Sequence, residues 1–201
     1  MQDILNEVTG RFHQLLQLKE TILSAAESLI TCYGSGNKVL VCGNGGSCSD
    51  SDHIVGELMK GFERMRPLDQ PFKDRLAAID HERGTYLAEK LQQALPAVSL
   101  TAHQALITAV ANDNGADLVF AQQVLGYGNK GDILIALSTS GNSRNVIDAV
   151  ITAKAKGLTV IGLTGESGGK MKAYCDILIN VPGKNTAQVQ ELQLPVYHVL
   201  C

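Results

Sequence analysis

Five short apolar runs, each bounded by Gly, Ser, Asn or Pro and each leading into a segment of helical period, constrain this 201-residue chain more than any other feature. They occupy residues 38–42, 97–100, 133–137, 159–163 and 177–181. Strands with one wet face alternate apolar and polar residues; these do not, so both of their faces are expected to be covered. Strands that alternate with helices and are buried on both faces form a parallel sheet between two helical layers. Right-handed crossovers then make a doubly wound, five-stranded αβα sandwich the economical topology.

Ahead of the first strand, Ile4, Leu5, Val8, Phe12, Leu15, Leu16, Ile22, Leu23, Ala26, Leu29 and Ile30 recur every three or four positions, which predicts a long amphipathic helix over about 1–34 that closes at Gly34 to Gly36. Such a helix is about 45 Å long, more than a small domain covers, so part of its stripe is expected to lie against another subunit. Residues 66–95, rich in charge and bracketed by Pro67, Pro71 and Pro96, read as a helical insertion within a single domain spanning 1–201.

Composition removes several function classes. Seventeen Lys and Arg against twenty Asp and Glu leave a net charge of −3, and the chain has no Trp, so it lacks both the basic excess and the aromatic platforms of a nucleic-acid binder. No run of 18 apolar residues occurs and the first residues carry no signal-peptide pattern, so no membrane segment is expected and the expected location is cytoplasmic. Cys32, Cys42, Cys48, Cys175 and Cys201 are scattered without a CxxC pair, the pattern of reduced thiols.

Two of the strands end in Gly/Ser-rich loops, VCGNGGSCSDSDH and ALSTSGNSRNV. In a parallel sheet both loops reach the carboxyl edge, and each opens a helix whose free N–H groups favour an anion. Ser138, Thr139, Ser140 and Ser143 offer hydroxyls, and no Lys follows in P-loop spacing, so the guest fitting this cradle is a phosphomonoester. His53 and Glu57 stand four residues apart on the helix after the first loop and share a face, where they could hold a divalent metal. Taken alone, such a pair is more often a surface contact. Gln190 and His198 are the remaining candidates; His13, His81 and His103 stand in helical contexts that read as solvated or structural.

The segments CGNGGS, DSDHIVGEL, VANDNG, GDILIALSTSGNSRNVIDAV, TVIGLTGESGGKM, CDILINVP and QVQELQLPVYH resemble, in order and over nearly the whole chain, the sugar isomerase (SIS) domain family. The likeness is strongest to its sedoheptulose 7-phosphate isomerases. That resemblance implies a homotetramer with active sites at subunit contacts and one zinc held by His53, Glu57, Gln190 and His198. Glu57 and His198 would transfer protons in the conversion of sedoheptulose 7-phosphate to D-glycero-D-manno-heptose 7-phosphate through an enediol. Asn44, Gly45, Gly46, Glu57, Asn112, Asp113, Ser138, Thr139, Ser140, Ser143 and Gln190 would line the sugar-phosphate site. Two other classes share the fold: a non-catalytic protein resembling the replication-initiator-associating member, which lacks the Glu and the last His, and a regulatory module that senses a sugar phosphate.

The chain departs from the family pattern at Cys48 and Gln193, where His is usual, at Pro195, expected to break the last helix, and in the length of the 66–95 insertion. Gln190 and His198 are eight residues apart, about 12 Å along a straight helix. Bringing both to one metal requires an irregular helix near Pro195 or a site shared between subunits.

Overall fold

A computed structural model describes residues 1–201. The strands β1 (Val39–Cys42), β2 (Ala97–Ser99), β3 (Ile133–Leu137), β4 (Thr159–Gly165) and β5 (Ile177–Val181) coincide with the five apolar runs to within two residues. They form one sheet in the order β2-β1-β3-β4-β5, every neighbouring pair parallel. In register, Leu40 lies beside Leu134 and Leu134 beside Val160.

Side chains alternate across the pleat, and both sides are buried. Val39, Val41, Ile133, Ile135 and Leu137 face one core, whereas Leu40, Cys42, Leu134 and Ala136 face the other. The first core is closed by α1 (Gln2–Arg11), α2 (Lys19–Gly34), α3 (Gly46–Met59) and α9 (Thr186–Leu200); the second by α6 (Gln104–Asp113), α7 (Val119–Tyr127) and α8 (Arg144–Ala155). Each Ile, Leu or Val so covered contributes about 1.5–3 kcal/mol, which is why a run apolar on both faces folds into the middle of a sandwich.

Two expectations are corrected. The amino-terminal stripe does not form one helix: Phe12 leaves helical geometry (φ −120°, ψ 76°), and a 3₁₀ segment over His13–Leu18 joins α1 to α2. The break lets Leu5, Leu15 and Ile22 all reach zero exposure, so burial in the chain's own core overrides a straight helix. Ile4, Leu16 and Ile30 of the same stripe stay exposed. Pro195 does not break α9, which continues through it. Burial of Pro195, Val196 and Tyr197 offsets the lost N–H and the ring's crowding of the preceding turn.

The insertion forms two helices, α4 (Gln70–Ile79) and α5 (His81–Lys90), capped by Asp69 (2.7 Å to the Phe72 N–H) and Asp80 (2.7 Å to the Arg83 N–H). A Cβ at Gly84 would lie 1.9 Å from the Leu76 carbonyl oxygen, so only glycine permits this close crossing. The hairpin is rooted at the end of α3. The Arg66 guanidinium donates to the carbonyls of Leu58 (2.5 Å), Gln93 (3.1 Å) and Glu57 (3.4 Å).

Candidate functional site

The strand order reverses between β1 and β3, and both Gly/Ser-rich loops lie at that switch point, where a parallel sheet leaves a crevice. Gly45 turns the chain with φ 58°, and α3 starts at Gly46. Asn44 and Asn145 exchange reciprocal side-chain hydrogen bonds (2.8 and 2.9 Å) that tie the first loop to α8. In the second loop Ser138 is buried and donates to Ser143 Oγ (3.0 Å), Thr139 is half-buried and Ser140 exposed. Ser143 is the N-cap of α8 with its hydroxyl not used as a cap, so the first N–H groups of α8 stay free beside the loop hydroxyls.

Asn112 and Asp113 end α6, exposed and bonded to each other (2.7 Å). Four residues on from Asp113, Asp117 pairs with Arg144 in the first turn of α8 (3.4 Å).

Further along α3 the helix period delivers His53 and Glu57 to the side packed against α9, where His198 stands. His53 Nε2 is 2.7 Å and His198 Nε2 3.5 Å from Glu57 Oε1, and the ligand atoms of the three residues lie within 4.8 Å of one another. Glu57 is only 7% exposed, and neither of its carboxylate oxygens nor His198 Nε2 has a hydrogen-bond partner. A buried carboxylate without a partner costs the fold, so its persistence marks a place for a cation or a polar guest. Two imidazoles and a carboxylate are a zinc donor set, and the orphaned atoms converge; the residues fit that metal.

Gln190 is placed elsewhere. Its amide lies against Gly46, where an added Cβ would meet Nε2 at 2.2 Å, and Gly46 is seven residues, about 10 Å along α3, before His53. Within one chain the structure therefore assembles three of the four expected metal ligands and leaves Gln190 beside the first Gly/Ser-rich loop.

Two neighbours of the cluster escaped sequence reasoning. The Tyr197 hydroxyl donates to Asp50 Oδ1 (3.2 Å) and lies 3.1 Å from His53 Nδ1. Burial, with the charge of Asp50 behind it, pushes the Tyr197 hydroxyl well above the usual tyrosine range, and burial likewise raises the Asp50 carboxyl. Only the spacing of Tyr197 next to His198 was visible, and adjacent helix positions do not share a face. His103 has a structural role, its Nδ1 accepting the Leu106 N–H at the start of α6 (3.2 Å).

A doubly wound sheet with a hydroxyl-lined loop at its switch point and a histidine-carboxylate cluster two turns away defines an α/β protein with a candidate anion site beside a candidate acid-base or metal centre. The particular family follows from comparison: residues 4–73 and 78–165 match the SIS domain, and the chain belongs to that family. It is similar to the phosphoheptose isomerase of Rhodospirillum rubrum, 40% identical over 190 residues that cover 94% of this chain and 87% of that protein. It is also similar to that of Shewanella sediminis, 40% identical over 187 residues covering 92% and 82%. Among solved structures, a phosphoheptose isomerase from Francisella tularensis superposes with a TM-score of 0.75 at 34% identity, covering 98% of this chain and 95% of that one.

Proposed function

We propose that this chain is a sugar-phosphate isomerase that interconverts sedoheptulose 7-phosphate and D-glycero-D-manno-heptose 7-phosphate. The observation that carries the reading is the Glu57 carboxylate, buried, within 2.7 Å of His53 Nε2 and 3.5 Å of His198 Nε2, and without a well-aligned hydrogen bond. The curated relatives named phosphoheptose isomerase support the substrate class.

The Ser138 to Ser143 loop and the N-terminus of α8 would bind the phosphate, and Gln190 beside Gly46 would meet the sugar next to it. From Gly46 to His53 is about 10 Å along α3, a span of the order of an extended seven-carbon phosphate ester. Phosphate binding energy would thus hold C1 and C2 against Glu57 and His198. Of these two, one removes a proton from C1 while the other protonates the C2 carbonyl oxygen; the hydroxyl proton at C1 then leaves as C2 is protonated, completing the exchange through an enediol. His53, Glu57 and His198 would hold zinc, which when bound supplies positive charge to offset the charge that develops in the reaction. Because α9 is continuous through Pro195, Gln190 would join that donor set only from a second copy.

The assembly we infer is a homotetramer with the sites at subunit contacts. It is supported by apolar side chains left exposed on the α4–α5 hairpin and in the loop leading into it, Ile79 at 85% and Met65 at 74%. Sedimentation at micromolar concentration reads that state, and a monomer would remove it. The non-catalytic alternative is not favoured, because Glu57 and His198 are both present and face each other. Incubation of purified protein with sedoheptulose 7-phosphate should yield the aldose, lose that activity to a chelator and regain it with zinc. No aldose from protein carrying stoichiometric zinc would overturn the proposal.

A further inference from the structure

We infer that Tyr197, held by Asp50, is a positioning residue that fixes the ring of His53 with its proton on Nδ1, leaving Nε2 unprotonated beside Glu57 and His198. The inference rests on the functional reading above, since it concerns how His53 is prepared for a cation.

A buried tyrosine hydroxyl finds a partner almost wherever it lies. This one has two, and the second is a ring nitrogen of the site. A hydroxyl has a single proton. Tyr197 gives it to Asp50 Oδ1, so the Tyr197 oxygen meets His53 as an acceptor, and Nδ1 must carry the hydrogen that fills the 3.1 Å gap. A neutral imidazole with its proton on Nδ1 presents a bare lone pair at Nε2, the form that ligates a metal.

The alignment of the ring agrees. His53 Nε2 lies 2.7 Å from Glu57 Oε1, close enough to bond, yet both Glu57 oxygens are without a hydrogen-bond partner. A hydrogen on Nε2 would thus not be aimed at Glu57, whereas one on Nδ1 meets the Tyr197 oxygen. The edge-on packing of His53 against Tyr197 (76°) and His198 (79°) leaves the ring braced on both sides. Without the Tyr197 oxygen, the proton would be free to move to Nε2 and point into the space between the three ligands.

Tyr197→Phe keeps the ring that fills the core and removes only the hydroxyl. Nitrogen-15 histidine spectra of metal-free protein at mildly alkaline pH should show His53 protonated at Nδ1 in the wild type and shifted toward the Nε2 form in Tyr197→Phe. Zinc affinity, read by competition with a chelator, should fall by about 10–100-fold, as for other lost partners of metal-bound histidines. Asp50→Leu, which frees the Tyr197 proton to donate to Nδ1, should shift the spectrum in the same direction. Asp50→Asn retains an acceptor oxygen and should stay near wild type in both readouts. A wild-type His53 protonated at Nε2, or a folded Tyr197→Phe with unchanged tautomer and zinc affinity, overturns the inference. Failure of the functional reading is separately visible as wild-type protein that neither takes up zinc nor isomerises sedoheptulose 7-phosphate, whatever the tautomer of His53.

Discussion

A buried polar atom without a hydrogen-bond partner costs about 1–3 kcal/mol, and Glu57 has two of them on one carboxylate. A residue chosen for folding alone would not stand there, so its replacement should separate stability from function. Glu57→Gln keeps the shape, removes the charge and adds an amide that can donate to His198 Nε2, now 3.5 Å from the carboxylate and unpartnered. At mildly alkaline pH the metal-free variant should melt above wild type by about 2–4 °C, equivalent to about 1 kcal/mol in a chain of this size. Its turnover should fall at least ~10²-fold, and its melting point should no longer rise with zinc. A lower metal-free melting point, or a zinc shift equal to that of wild type, contradicts this account of the site. The His53 and Glu57 pair is legible in the sequence because four residues are one helical turn. Asp50 and Tyr197 are not, since 147 residues separate them and only the packing of α3 on α9 brings them together.

At the scale of elements, strands were the most readable part, because an uninterrupted apolar run between turn residues has few other homes than the middle of a sandwich. The path of the chain between strands was less so. Phe12 ends α1 and Pro195 fails to end α9, and in both cases core burial outweighs the local preference. The Ser138 to Ser143 loop shows which local signals do prevail. Gly141 has φ 65°, and a Cβ there would lie 2.1 Å from the backbone oxygen of Gly168; its carbonyl also accepts the Met171 N–H (2.9 Å). Backbone cannot step aside as a side-chain tip can. Gly141→Ala should therefore cost at least ~2 kcal/mol, lower the melting point by about 4–8 °C and raise KM for the sugar phosphate as the Ser138 to Ser143 loop shifts. Gly46→Ala is the control, because the atoms nearest its new methyl belong to the flexible end of Gln190 rather than to backbone. That variant should melt near wild type. Equal melting points for the two would show that the loop is not set by Gly141.

Across the whole molecule the sheet divides two cores, and the free thiols reveal how tightly one of them excludes water. Cys42 ends β1 with zero exposure in the α6–α8 core, just ahead of the turn into α3, and Cys175 packs against the same core. Burial pushes Cys42 up to about 12 and Cys175 up to about 11 from an ordinary value of 9.0, the charge of Asp176 adding to the second. The consequence for stability has a definite sign. Below about pH 9 both thiols stay protonated in the folded and unfolded chain and pH has no effect through them. Above it the unfolded chain releases protons that the folded chain retains, so stability falls as pH rises toward the folded values. For Cys42 the slope approaches ~1.4 kcal/mol per pH unit, the limit for one proton. Cys175, less enclosed, adds a smaller amount in the same direction. The urea midpoint should hold steady from neutral pH to about pH 9 and then decline through pH 11. Cys42→Ala should begin lower, because it leaves a cavity, and decline less steeply, because it has no proton to lose. Midpoints of wild type and Cys42→Ala that run parallel above pH 9 would show that water reaches the end of β1, and with it the base of the crevice at the switch point.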